Sequence, residues 1–225
     1  MATKATQEQL VSLGFAFHGR PSAQPADPEK IILELLSAFY EDRKTFRIML
    51  RWLLTTSELI HVERLAALAK YIASEDKAVL GALALKLVRA GDRRWAMIVE
   101  RAKVDLEKHP SSSSAPEEYA DPYLVEKYGT DAEFLAFGLK TATVSPEDEK
   151  KVLTLAGILK GHGWLRLRAL MGPCFRADLA YLRITAEVSN PNQAIKILGC
   201  SRETAYRLWR ALSLYDGLHR LVAAA

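Results

Sequence analysis

The chain has 225 residues, 49% hydrophobic and 26% charged, a balance that excludes wholesale disorder. No apolar run approaches the ~20 residues that cross a bilayer, and the apolar piece at 11–17 is short, interrupted by Gly14 and preceded by Glu8, which argues against a secretory leader. A cytoplasmic protein without a membrane partner is expected, and its net charge of +4 is unevenly spread: residues 151–225 carry 11 Lys/Arg against 4 Asp/Glu, net +7, whereas residues 1–150 carry 20 against 23, net −3.

Residues 1–27 show little periodicity and end in a Pro-rich stretch, Arg20 to Asp27, which predicts a flexible N-terminal arm. Asp27 followed by Pro28 then predicts a helix start, because the carboxylate accepts first-turn amides and proline lacks an amide that would have no partner there. Ile31, Ile32, Leu35, Leu36 and Phe39 follow at helical spacing, and Met49, Leu50, Leu53 and Leu54 form a stripe in 46–54. Three further helix-length segments span 57–73, 75–90 and 93–108, with Gly91 closing one and Asp92 capping the next. Connections this short predict antiparallel neighbours, so 28–108 reads as an antiparallel helical bundle, the expected dimer or partner surface.

The Pro/Ser-rich stretch 109–120 reads as a linker. Beyond it, 121–163 reads as connecting helices: Asp121-Pro122 and the capping pair Thr130/Glu133 open two short ones. Ser145-Pro146 opens a longer one through Val152, Leu155, Ala156 and Leu159, before Gly161-His162-Gly163 breaks the chain. No segment alternates with a period of two, so the expected class is all-α.

The stretch from Asn192 to Leu212 carries the chemistry. A short helix ends at Gly199, which supplies the positive φ of a tight corner, and Ser201 caps a second helix. Ala194, Leu198, Cys200, Ala205 and Leu208 are apolar on the side that must be buried. Ala205, Leu208, Trp209 and Leu212 recur at i, i+3, i+4 and i+7, leaving Arg202, Glu203, Tyr206, Arg207 and Arg210 outside. A supporting helix precedes them at 175–184. Residues 172–217 resemble the helix-turn-helix, winged-helix-like, domain of bacterial DNA-binding transcriptional regulators. One departure is Ile195 with Ala205, where that family has the small residue first and the branched one second; the exchange roughly conserves volume.

The resemblance implies a C-terminal three-helix DNA-binding domain at 164–225 with little or no wing: either Asp216-Gly217 turns a hairpin, or Gly217 merely ends the helix. It implies that the 201–212 helix enters the major groove with Ser201, Arg202, Glu203, Tyr206, Arg207 and Arg210 at the DNA. Arg166, Arg168, Arg176, Arg183 and Lys196 are the candidates for flanking phosphates. A homodimer on double-stranded DNA is the expected assembly.

Nothing in the sequence assembles an enzyme, cofactor or metal site. His18, His61, His109, His162 and His219 are scattered, Cys174 and Cys200 fill no zinc pattern, and no phosphate loop or nucleophile elbow occurs. The competing expectation is an antitoxin-like or other protein-interaction module whose helices at 28–108 bind a partner protein.

Overall fold

The computed structural model describes residues 6–22, 25–108 and 122–214. Among them the chain is helical, with no strand and two isolated antiparallel bridges. None of these helices is long and apolar enough to cross a membrane.

The described part of the N-terminal segment is packed, which corrects the expected arm at 1–27. Helix α1 (Gln7–Ser12) is opened by a reciprocal Thr6/Gln9 box. Leu10, Leu13, Phe15 and Ala26 are buried, Trp52 Nε1 donates to the Leu13 carbonyl at 2.7 Å, and the Phe15 and Trp52 rings stack. Leu10, Leu13 and Phe15 recur at neither a helical nor a strand period, so the pattern gives no warning of this docking.

Asp27 caps α2 (Pro28–Glu34) as expected, accepting from the Lys30 amide. The helices α3 (Ala38–Glu41), α4 (Arg43–Thr56), α5 (Val62–Leu68), α6 (Ser74–Arg89) and α7 (Ala96–Lys108) follow. The single helix expected over 57–73 is instead split into 3₁₀ turns on either side of α5. Ile60 is extended there, and the His61 amide donates to Glu29 Oε1 at 3.0 Å rather than up a helix.

The later helices are α8 (Pro122–Tyr128), α9 (Ala132–Leu135), α10 (Pro146–Glu149), α11 (Leu155–Gly161), α12 (Gly163–Met171), α13 (Phe175–Ile184), α14 (Pro191–Leu198) and α15 (Arg202–Ser213). The cap of α9 is Asp131, not Thr130, which is bridged to Ala142. Ser145 does cap α10, but the helix stops at Glu149. Residues 151–153 pair with 14–16 instead, through Ala16 N to Lys151 O (2.8 Å) and Leu153 N to Gly14 O (2.9 Å). The linker 109–120 and the alternatives for a wing beyond Leu214 lie outside the described residues.

The buried apolar residues fall into two clusters. The first gathers α1–α7 together with Phe134, Phe137, Leu139, Ile158 and Leu165. Residues 121–163 are therefore more than connecting helices: Phe134 stacks on Phe39 and meets Phe46 edge-on. At Gly81 an added Cβ would lie 2.5 Å from both Ala102 and Phe137, so this close approach admits only glycine. The second cluster joins Trp164, Leu167, Leu179, Ala180, Leu182, Val188, Ala194, Leu198, Cys200, Ala205, Leu208 and Leu212. Trp164 and Leu165 are neighbours on α12 yet belong to different clusters, so α12 is the shared wall.

Candidate nucleic-acid interface

Helices α14 and α15 are each specified locally. Asn190 caps α14 by accepting from the Gln193 amide at 3.1 Å, with Pro191 at the first helical position. Gly199, at φ 68° and ψ 19°, ends α14 in the left-handed region, and Ser201 caps α15 by accepting from the Thr204 amide at 3.1 Å. Ala194, Leu198, Cys200, Ala205 and Leu208 are all buried, while Ile195 is half-buried at the margin of the same cluster. Burial pushes the Cys200 thiol up, which suits packing rather than reactivity.

The opposite face of α15 is open. Ser201, Arg202, Glu203, Tyr206, Arg207 and Arg210 are all exposed. At 3.6 residues per turn the five helical ones fall within an arc of about 140°. The Ser201 hydroxyl is engaged as the cap. Arg202 lies over the Tyr206 ring at 5.4 Å, and the Tyr206 hydroxyl donates to Asn192 Oδ1 at 3.3 Å, linking the face to the start of α14. Arg202, Arg207 and Arg210 form no ion pair with any described residue. Residues 163–214 carry eight Lys/Arg against three Asp/Glu, net +5, and only Glu187 and Glu203 of those carboxylates reach the surface.

The five phosphate candidates separate. Arg176 and Lys196 are exposed. Arg166 is half-buried and closes α11, donating to the carbonyls of Leu159 and Lys160 at 2.9 Å each. Arg183 is half-buried against Trp209, 4.6 Å above its ring, and donates to Trp209 O and Ser213 Oγ. Arg168 is a correction. It is 1% exposed and forms ion pairs with Glu29 (2.6 Å) and Asp178 (2.7 Å), so it has no access to a ligand.

Arg168 belongs to a buried charge network that joins the two apolar clusters. Glu29 of α2 accepts from Arg168, Arg64 and the His61 amide. Asp178 of α13 accepts from Arg168 Nε and Trp164 Nε1, and its other oxygen lies 2.8 Å from His61 Nδ1. Arg64 of α5 pairs with Asp27 and Glu29. Both guanidinium carbons sit 5.6 Å from the Trp164 ring. Burial alone would raise the Asp178 carboxyl, but the Arg168 charge and the bonds from His61 and Arg168 outweigh it and hold Asp178 well below the usual carboxylate range.

Glu29, His61, Arg64 and Asp178 are absent from the sequence-based expectations as partners of one another. A signal existed: Glu29 shares the spacing of Ile32 and Leu36, and Arg168 lies four residues after Trp164, so charged side chains occupy inward helical positions. A charge on an apolar stripe implies a buried partner, though not which one.

Among the described residues no group of three His, Cys, Asp or Glu side chains is placed to hold a metal ion. Comparison with protein-family models, with curated proteins and with solved structures gives no match.

Proposed function

We propose that the protein binds double-stranded DNA sequence-specifically and acts as a transcriptional regulator, with α13–α15 working as a helix-turn-helix and α15 entering the major groove. The observation that carries this reading is the outward arc of α15, where three exposed guanidinium groups lack ion-pair partners among the described residues. An arginine there can fork onto a guanine edge or clamp a phosphate, and Tyr206 presents a hydroxyl at the same face. Arg176 and Lys196 are the side chains available to flanking phosphates. As a homodimer, the protein would read two half-sites about one helical turn apart.

Selection from random duplexes at near-physiological salt tests the proposal. Enrichment of a motif with two-fold symmetry is the expected result, and absence of any enriched sequence would overturn it. A second reading, binding of a protein partner by the N-terminal helices, is favoured by one feature. A 440 Å³ groove there is lined by Ala66, Leu80, Ile98, Ala102 and Val104, with the Lys77–Asp105 pair at its rim. Loss of a copurifying partner from a Val104→Asp variant, with no duplex selected, would favour that reading instead.

A further inference from the structure

Arg64 is carried by α5 and anchored to α2, yet its guanidinium reaches the far end of α14. The last four carbonyls of a helix have no amide donors within it. In α14 the Gly199 amide takes the Ile195 carbonyl, leaving Ile197 and Leu198 open at the corner. Arg64 closes both: Nε donates to Leu198 O at 3.2 Å and Nη2 to Ile197 O at 3.1 Å. Its remaining N–H groups go to Asp27 (2.7 and 2.5 Å) and Glu29 (2.5 Å), so all five donors are engaged and the side chain is 0% exposed.

We propose that Arg64 is a positioning residue for the α14–α15 corner, fixing the exposed face of α15 relative to the N-terminal helices so that the two apolar clusters move as one unit. Its consequence for DNA rests on the reading given above. A second route runs in parallel, from Glu29 through Arg168 to Asp178 on α13, and it holds the supporting helix from the same carboxylate. The geometry needs a planar fork. A lysine carries the charge but presents its donors from a single atom, and cannot serve two carboxylates and two carbonyls at once.

The test uses the full chain with Arg64→Lys, Arg64→Met and, as a comparison, Leu83→Ala in the first cluster, where Leu83 is buried on α6. Amide hydrogen exchange is followed at 198–202 and across α6. Both Arg64 variants are expected to accelerate exchange at 198–202 at least tenfold beyond any change in α6, whereas Leu83→Ala gives no such selective effect. Equal acceleration in both regions, or none at the corner, would overturn the proposal. Arg64→Lys retains the buried charge and keeps the test decisive if Arg64→Met does not fold.

On a selected duplex, Arg64→Lys is expected to raise Kd at least tenfold with unchanged stoichiometry and salt slope. A purely structural role would lower the binding-competent fraction and leave Kd intact, which would refute positioning. A wild-type protein that binds no duplex refutes the DNA reading alone, and the exchange comparison then decides the positioning claim by itself.

Discussion

Arg64 and Arg168 are completely enclosed and paired with Asp27, Glu29 and Asp178, whereas Arg202, Arg207 and Arg210 stand in solvent without a described ion-pair partner. Arg168 and the exposed set come from amphipathic helices with similar local sequence, Leu165 to Arg168 in one and Tyr206 to Arg210 in the other. What separates them is a carboxylate delivered from far away, since Glu29 is 139 residues from Arg168. Charges buried in this way gain little net stability, because desolvation opposes the attraction, but breaking such a set leaves a costly uncompensated charge. The enclosed arginines therefore specify how the two halves of the molecule meet. The exposed ones add little to folding, and their donors remain open to a ligand.

Removing one guanidinium from each set breaks the comparison most sharply. Arg168→Met strands part of the hydrogen bonding of Glu29 and Asp178 and is expected to cost about 3–5 kcal/mol in urea denaturation. Arg207→Glu, by contrast, should change stability by no more than about 0.5 kcal/mol. Equal losses from the two would erase the distinction between the regions.

A pH series sharpens the picture beside the network. His162 caps α12 by accepting the Leu165 amide at Nδ1 (3.2 Å), and Nε2 donates to Ala26 O (3.1 Å), which requires a neutral ring. Burial lowers its pKa from 6.5 to about 4. The unfolded chain thus binds a proton in this range that the folded chain does not. The contribution of the neutral ring is complete above pH 6.5 and lost as the pH falls toward 4, about 3 kcal/mol in all. Asp76, raised to about 6 by burial and by the nearby Glu75 and Glu41 charges, acts in the opposite sense over the same window. The difference between the wild type and His162→Asn isolates the imidazole. That variant should be less stable at pH 7 and converge on the wild type near pH 4, and a gap that does not change with pH would contradict the assignment.

A loss smaller than those expected for Arg168→Met and for the His162 ring lies at the corner. A Cβ on Gly199 would meet nothing within 4 Å, so Gly199→Ala costs only its left-handed backbone, about 1 kcal/mol by thermal denaturation. A loss several times larger would mean that the corner itself had rearranged.

These contrasts also mark what the sequence could disclose. Asp27 with Pro28, Gly91 with Asp92, and Gly199 with Ser201 were legible as helix ends because each acts on amides within four residues. The outward face of α15 was legible for the same reason, since periodicity fixes which side chains cannot turn inward. Arg166 and Arg168 could not be told apart from a basic surface pair, because the groups that engage Arg168 lie on α2 and α13. The docking of 14–16 on 151–153 and of Phe134 on Phe39 was hidden likewise, since such contacts leave no local period.

The most direct test of the central claim is a salt titration of binding to a selected duplex by the wild type and Arg207→Glu, with melting temperature measured on both. Wild-type affinity is expected to fall linearly on logarithmic axes, with a slope of about −0.9 per phosphate neutralised. Arg207→Glu is expected to lose binding at an unchanged melting temperature. Wild-type-like binding by Arg207→Glu, or an affinity indifferent to salt, would contradict the account.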